Sequence, residues 1–361
     1  MQKPEKDEIE VSIFGPGYGE CIVIHIGNNE WVVIDSCINP DTKKNAAIEY
    51  LNHIGVDLDA IKLLVASHWH DDHIRGFFEL LKNCKNAKIA ISDAFCEKDF
   101  IKLASVFNGN SDLGATEFSN IWKYLLDNKK YPIRASGNRL PILVKEFKDL
   151  NIDCEIKSLS PSDAAITLSN VNVAKIIPSK PQLNKLPALK TRVTAISPNH
   201  AAVVLLITIN QIEILLGSDL ENSSNEQIGW VAILNSGITC KANLFKVPHH
   251  GSENGDNPFV WEKLICKDPI TITTPFVNGS VKLPKESDLQ RIKEHSGQAF
   301  LTAEPKTKKA KSNHFVDKIL QGDIIKRKLA NPFYGHVRLR CKTHLPVEWE
   351  SFLSKNSIQI I

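Results

Sequence analysis

The stretch "VASHWHDDHIRG", Val65 to Gly76, largely decides which fold this sequence adopts. It places three histidines and two aspartates within the six residues His68 to His73. The preceding "IKLLVAS" is nearly all apolar, which predicts a strand covered on both faces, and the following "IRGFFELLKNC" has helical spacing. The cluster is therefore predicted to lie on a loop at the C-terminal end of a buried strand, where α/β proteins commonly place their chemistry.

The H-x-H-x-D-H spacing of this loop is typical of metal ligation. His68 and His70 are two residues apart, so both imidazoles can reach one divalent ion. Asp72 and His73 follow at once and can point to a second ion nearby. Two adjacent cations can share a bridging hydroxide and clamp an oxygen-rich substrate. A polar loop with accidental histidines is the alternative, but the strand, the spacing and the helix all favour metal ligation.

Elsewhere, strands and helices alternate, which predicts a layered α/β domain. "AVVLLITINQIEILLGSD" predicts a hairpin that turns near Asn210, and "RLPILVKEFKDL" predicts a helix. Three strands end in metal-type residues, namely the cluster just described, Asp219 and His249. We expect these side chains to meet at one edge of the domain. For His25, on a predicted strand, a position facing solvent is the simpler interpretation.

Composition limits the remaining possibilities. Of the 361 residues, 42% are hydrophobic and 24% charged, which is typical of a globular protein. The net charge of +3 does not by itself imply a nucleic-acid partner. The eight cysteines are scattered without C-x-x-C spacing, which favours reduced thiols in a cytoplasmic protein. "MQKPEKDEIE" lacks an apolar signal region, and the apolar run "AAVVLLITI" is too short to span a bilayer. We therefore expect no membrane partner.

Four motifs together resemble those of the metallo-β-lactamase fold. "HWHDDH" matches its H-x-H-x-D-H signature, and "WVVIDSC" resembles its first motif, which ends in Asp35. "LLGSDLE" resembles the bridging-aspartate motif at Asp219, and "KVPHHGS" the final histidine motif at His249 and His250. The opening "FGPGYGECIVIHIGNNEWVVID" looks most like the hydrolase domain of ComEC-type DNA-uptake proteins. This resemblance covers about residues 10–303.

The resemblance implies an α/β fold, the four-layer αββα sandwich, with a dinuclear site at the edge of two sheets. The implied roles are His68 and His70 on the first ion; Asp72, His73 and His249 on the second; Asp219 bridging the two; and Asp35 orienting a ligand without binding metal. Asp72 is also a candidate catalytic residue. His250 is a candidate to contact the scissile phosphate or to donate a proton to the leaving group, with simple packing as the alternative.

The sequence departs from the family pattern at two positions. Many members supply a third histidine to the first ion, and the nearest segment here is "SPNHAAVV". His200 is a candidate for that ligand, with a merely packed histidine as the alternative. ComEC-type domains usually have Asn-x-x-Ser at this point, whereas this chain has Asn199 followed by Ala202. Asn199 is a candidate to hold a water or a substrate oxygen. Leu283 stands where such domains often carry a histidine.

The expected organisation is a hydrolase domain over residues 1–303, with a helical and loop insertion near 94–198, and a C-terminal appendage over 304–361 that packs on it. Within the insertion, Pro178 to Pro198 is predicted to be a long surface loop. The basic run Lys306 to Lys328 is either solvated surface or a site for a phosphate backbone.

The predicted function is a dinuclear metal-dependent hydrolase, most specifically a phosphodiesterase or nuclease that uses a metal-bound hydroxide. Zinc is the expected metal and manganese the second choice. The expected substrate is a nucleic acid or a nucleotide. Two alternatives stay open: a hydrolase of a small ester, lactone or phosphoester, and a catalytically weak, metal-stabilised scaffold protein in a larger complex.

Overall fold

The computed structural model of the chain describes residues 2–17, 19–106, 113–137, 141–176, 198–309, 330–344 and 346–361. Almost all of the predicted loop Pro178–Pro198 and most of the lysine-rich run lie outside these residues. Within them, no helix is both long enough and apolar enough to cross a membrane.

The strands follow one another in short, mostly buried segments. In chain order they are β1 (Glu8–Gly15), β2 (Cys21–His25), β3 (Trp31–Ile34), β4 (Ile61–Ala66), β5 (Lys88–Ser92), β6 (Ile133–Ala135), β7 (Leu143–Phe147), β8 (Ile152–Ser158), β9 (Leu205–Ile209), β10 (Ile212–Leu216), β11 (Ala242–Lys246), β12 (Ile265–Thr273), β13 (Phe276–Asn278), β14 (Val281–Leu283), β15 (Gln298–Leu301), β16 (Thr307–Lys309), β17 (Ala330–Pro332), β18 (Gly335–Lys342), β19 (Glu350–Leu353) and β20 (Ile358–Gln359).

The helices lie between these strands. They are α1 (Ala46–His53), α2 (Asp71–Ile74), α3 (Phe77–Asn83), α4 (Lys98–Val106), α5 (Leu113–Asp127), α6 (Asp163–Ile176), α7 (Trp230–Asn235), α8 (Pro258–Leu264) and α9 (Glu286–His295).

Two eight-stranded sheets form the centre of the molecule. Their strand orders are β19-β18-β1-β2-β3-β4-β5-β6 and β20-β15-β12-β11-β10-β9-β8-β7. In the first sheet β3, β4, β5 and β6 are parallel, and in the second β10, β11, β12 and β15 are parallel. Parallel strands end at the same edge, so the loops after β4, β10 and β11 can meet there.

Apolar side chains from both sheets fill the space between them, for example Val65 of β4 and Ile207 of β9. The outer face of the first sheet packs against helices through residues such as Leu64 and Phe118. The outer face of the second sheet does the same through residues such as Phe245. This arrangement confirms the predicted αββα sandwich. It also explains why β4 is apolar on both faces, since one face meets the other sheet and the opposite face meets helices.

The hairpin prediction is confirmed, because β9 and β10 pair antiparallel with Asn210 in the connecting turn. The helix predicted for "RLPILVKEFKDL" is wrong. The segment contains β7, which pairs antiparallel with β8 at the edge of the second sheet. Leu143 and Phe147 are buried while Val144 is exposed, so strand pairing overrides a spacing that also fits a helix.

The chain after residue 303 contributes to both sheets. β18 pairs with β1 over its whole length, and β19 extends the same sheet. β20 pairs with β15 at the edge of the second sheet. Strands from both sides of residue 303 therefore lie in the same two sheets.

Candidate metal centre

The loop after β4 brings the H-x-H-x-D-H residues to the edge of the first sheet. His68 and His73 are fully buried, and the imidazole rings of His68 and His70 are 5.0 Å apart in an edge-on arrangement. α2 begins directly after His70 and carries Asp72 and His73. The backbone N–H of Glu20 donates to the Asp72 carbonyl at 2.7 Å, which ties this loop to the connection between β1 and β2.

Asp219 lies at the centre of the site, on the loop after β10. Its carboxylate oxygen Oδ1 is 3.3 Å from His73 Nε2, and Oδ2 is 3.9 Å from His68 Nε2 and 3.5 Å from His250 Nε2. The carboxylate is almost completely buried. A carboxylate placed between imidazoles in this way can hold two cations at once.

The two neighbouring histidines after β11 point to different places. Both have left-handed backbone conformations, with φ of 47° for His249 and 55° for His250. The Nε2 atom of His250 is 3.3 Å from Asp72 Oδ2, inside the cluster. His249 instead contacts Glu221, with Nδ1 3.2 Å from Oε1, and its Nε2 lies 3.4 Å from Asn199 Nδ2.

Hydrogen bonds at the far nitrogen of each ring orient the imidazoles. His250 Nδ1 donates to the Thr274 carbonyl at 2.9 Å. His73 Nδ1 donates to Asp35 at 2.8 Å. His68 Nδ1 lies 3.0 Å from the Ser67 hydroxyl, which donates to the same Asp35 carboxylate at 2.6 Å. Each Nε2 is therefore left facing the centre, as metal-binding histidines require.

Asp35 orients the candidate ligands through hydrogen bonds. It is buried in a left-handed conformation (φ 58°) and also accepts the Ser67 N–H at 2.7 Å. Burial raises the pKa of Asp35, while its bonds to His73 and Ser67 oppose that rise. Its oxygens are thus occupied by hydrogen bonds that set the orientation of His68 and His73, in agreement with an orienting role.

A buried ion pair lies beneath Asp219. Lys246, the last residue of β11, is fully buried, and its Nζ is 2.8 Å from Glu20 Oε1 and 3.9 Å from Asp219 Oδ1. The same Nζ donates to the Ser218 carbonyl at 2.9 Å. Burial opposes the charged form of Lys246, but the carboxylates of Glu20 and Asp219 raise its pKa. The sequence interpretation missed this pair, although a lysine ending an apolar strand was a usable indication.

The protonation of the cluster follows from this crowding. Burial disfavours an imidazolium, yet Asp219 and Asp35 hold the pKa of His73 well above its usual value, and Asp219 and Asp72 raise that of His250. Burial and the neighbouring His73 lower the pKa of His68 well below its usual value. Protons thus balance part of the negative charge, and a cation bound here would displace them.

The donor set fits divalent cations. Three groups of ligand atoms each lie within 4.8 Å of one another, and they are Asp72, His73, Asp219 and His250; Asp35, His68 and His73; and His68, His70 and Asp219. Within the described residues, the buried atoms His68 Nε2, His73 Nε2 and Asp219 Oδ1 have no hydrogen-bond partner. Unpaired buried polar atoms are costly, and cations at this point would satisfy all three.

The structure places His249, His200 and Asn199 outside these groups. His200 lines a small cavity with Leu159, Ser160 and Ile233. Asn199 is buried and donates from Nδ2 to Glu221 Oε1 at 2.8 Å, beside His249. His250 lies inside, where the sequence interpretation had expected His249. Adjacent histidines in an irregular turn could not be told apart by spacing.

Comparison with known proteins agrees with this geometry. Residues 14–103 match the family model described as the metallo-beta-lactamase superfamily, and this segment contains Asp35 and the H-x-H-x-D-H loop. The match covers 90 of the 361 residues, and the αββα architecture is consistent with that superfamily. No curated protein matches the chain.

Several solved structures are similar. The metallo-beta-lactamase fold protein YhfI from Bacillus subtilis is 13% identical, with 66% of this chain and 70% of that chain covered and a TM-score of 0.34. A putative metallo-beta-lactamase from Thermotoga maritima is 13% identical, with 59% and 79% covered and a TM-score of 0.32. BJP-1, a subclass B3 metallo-beta-lactamase of Bradyrhizobium japonicum, is 13% identical, with 67% and 75% covered and a TM-score of 0.33.

The fold and the histidine and aspartate clusters together indicate divalent-metal binding and a metal-dependent hydrolase.

Proposed function

We propose that this protein is a dinuclear metal-dependent phosphodiesterase that acts on a nucleic acid or a nucleotide. The observation that carries the proposal is the position of Asp219, whose two carboxylate oxygens face different imidazoles. Asp219 belongs both to the group with His68 and His70 and to the group with Asp72, His73 and His250. One shared carboxylate between two donor sets is the arrangement that a dinuclear site needs.

The candidate ligands divide between the two ions. His68 and His70 would hold the first ion, and Asp72, His73 and His250 the second, with Asp219 shared. His250 thereby takes the ligand role that the sequence interpretation gave to His249. When bound, such ions supply Lewis acidity toward a phosphoryl group and promote ionisation of water. Zinc is the first choice for a site this rich in imidazole, and manganese the second.

The substrate side of the site would include His249 and Asn199. Burial lowers the pKa of His249, so its imidazole is neutral near pH 7 and can donate or accept one hydrogen bond. The Asn199 amide lies beside it. Together they can orient an oxygen of the substrate or its leaving group. The phosphodiester preference is supported by the motifs resembling ComEC-type hydrolase domains.

Metal-loaded protein should be tested for hydrolysis of single- and double-stranded DNA, RNA, bis(p-nitrophenyl) phosphate and a simple lactone. Asp219→Ala should abolish phosphodiester hydrolysis while the protein stays folded, because Asp219 lies at the sheet edge and outside the apolar core. Asp127→Ala is the matched control, since Asp127 is an exposed carboxylate at the end of α5.

The pattern of turnover separates the alternatives. Cleavage of the lactone without any phosphodiester would favour a small-ester hydrolase. Bound metal without turnover of any substrate would favour a scaffold role. Unchanged turnover in Asp219→Ala would contradict the dinuclear centre.

A further inference from the structure

A cleft of about 280 Å³ opens directly beside the candidate metal centre. Asp72 and His250 form one of its walls, so a molecule in the cleft would lie against the proposed second ion. Thr274 and the start of the β13–β14 hairpin, Phe276 to Asn278, line the cleft next to His250. Arg75, at the end of α2, also lines it. Arg75 and the hairpin residues have no role in the proposed metal centre, whereas the Thr274 carbonyl orients His250.

Phe276 gives the cleft a fixed aromatic surface. Its ring stacks on His250, with centroids 5.1 Å apart and an angle of 29° between the planes. The side chain is only partly buried. His250 is itself anchored by the Thr274 carbonyl, so the phenyl ring packs against a side chain whose orientation is held by a hydrogen bond. A planar group entering the cleft can stack against a ring that is already ordered, with little loss of side-chain entropy.

The same cleft also offers polar groups suited to phosphate. The Thr274 hydroxyl is buried, and no hydrogen-bond partner for it occurs in the part of the chain that the structure describes. The Arg75 guanidinium is partly exposed and pairs with Asp71 through one terminal nitrogen. A guanidinium has five N–H donors, so it can hold a carboxylate and also contact a phosphate oxygen.

We propose that this cleft binds one nucleotide unit next to the reacting phosphate, with the base stacked on Phe276 and a phosphate oxygen near Arg75 and Thr274. The inference rests on the proposed function, because the cleft shares Asp72 and His250 with the metal centre. It adds where the base and the phosphate would bind, since an aromatic surface and phosphate donors within one small cleft match a base joined to a phosphate. The unit can come from a free nucleotide or from a single strand, in which bases are exposed for stacking.

The test compares two ligands that differ only in the base. Binding of adenosine 5′-monophosphate and of ribose 5-phosphate to the full-length, metal-loaded protein is measured by calorimetry. The wild-type protein should bind the nucleotide about tenfold more tightly, which is the usual size of one base–aromatic stack. Phe276→Leu should remove this preference, and Phe276→Trp should keep it. Phe259→Leu is the matched control, because Phe259 is an exposed phenylalanine on α8.

Equal affinity for the two ligands in the wild type would overturn the inference, as would an unchanged preference in Phe276→Leu. Loss of the preference in Phe276→Trp would also overturn it, since shape rather than stacking would then be responsible. If Phe276→Leu loses its metal or its fold, the Trp variant still decides.

Competition by a short single-stranded oligonucleotide would support nucleic acid as the source of the nucleotide unit, and absence of competition would support a free nucleotide. A base preference without any phosphodiester hydrolysis would support the cleft and contradict only the proposed reaction.

Discussion

Buried histidines occur in two regions of this molecule, and the two groups behave differently. His68, His73 and His250 lie at the sheet edge with at most 4% of their surface exposed. His25 and His336 lie on β2 and β18 of the first sheet and are buried to a similar degree. Burial therefore does not distinguish the two groups. Their surroundings do.

The edge histidines face carboxylates, whereas the sheet histidines face carbonyls and aromatic rings. His25 Nδ1 lies 2.7 Å from the Glu8 carbonyl, and burial lowers its pKa to about 4. His336 stacks on Phe14 with centroids 4.0 Å apart, and burial lowers its pKa to about 3. At the edge, Asp219 raises the pKa of both His73 and His250 against the effect of burial, whereas burial and His73 lower that of His68. Convergence with carboxylates, and not burial, is what marks a metal centre.

The largest expected effect comes from removing a cluster histidine. His250→Ala deletes the imidazole near Asp72 and Asp219, so the metal content should fall from about two ions per chain to about one. Phosphodiester turnover should fall by more than about 100-fold, beyond the loss typical of residues that only support a ligand. Elemental analysis and steady-state kinetics measure the two effects.

His249→Ala is the informative partner for that experiment. It should keep both ions, because His249 contacts Glu221 and lies outside the three groups of ligand atoms. If His249→Ala loses an ion and His250→Ala keeps both, the assignment of the two neighbours is reversed.

The next effect concerns the charged pair behind Asp219. Lys246→Met leaves the Glu20 carboxylate buried without its ammonium partner, and breaking one side of a buried ion pair costs about 3–5 kcal/mol. Urea denaturation should show this loss in the free energy of unfolding. The double variant Glu20→Gln with Lys246→Met should regain most of it, since Glu20 no longer carries a buried charge without its partner. Equal stability of the two variants would mean that the pair contributes little beyond packing.

A smaller effect is expected from Asp35→Asn. The amide has only one acceptor oxygen, so it cannot replace both Oδ2, which accepts from His73 and the Ser67 hydroxyl, and Oδ1, which accepts the Ser67 N–H. The orientation of two ligands therefore becomes less fixed. Loss of such a supporting partner usually weakens metal affinity by about 10- to 100-fold. Competition with a coloured chelator measures the affinity. An unchanged affinity would show that backbone and packing alone orient His68 and His73.

The sequence predicted the H-x-H-x-D-H loop and Asp219 much better than the loop after β11. A fixed two-residue spacing after an apolar strand was enough to place His68, His70, Asp72 and His73 together. Asp219 was predicted to join them because it follows a strand, and it does lie between their imidazoles.

The loop after β11 was harder to interpret. His249 and His250 are adjacent, and which one turns inward depends on two left-handed residues that no spacing rule specifies. The Glu20–Lys246 pair joins residues more than two hundred positions apart, so only the folded structure reveals it. The expectation that His25 faces solvent is wrong, because β2 lies inside the first sheet and is covered on both faces.

The smallest expected effect tests the histidines away from the edge. The pKa of His336 is lowered to about 3 in the folded state, against about 6.5 in an unfolded chain. Below pH 6.5 the unfolded state therefore binds more protons, so the stability that neutral His336 provides is present above this pH and is lost as the pH falls toward 3. Between pH 7 and 5 this amounts to about 2 kcal/mol. His336→Phe keeps a ring stacked on Phe14 and should flatten the decline of unfolding free energy over this range by that amount.

His295→Phe is the control, because His295 is exposed and also stacks on an aromatic ring, that of Trp261. Urea midpoints at pH 7, 6 and 5 measure the slope. Identical slopes for His336→Phe and the wild type would show that His336 does not contribute to the acid sensitivity of the fold.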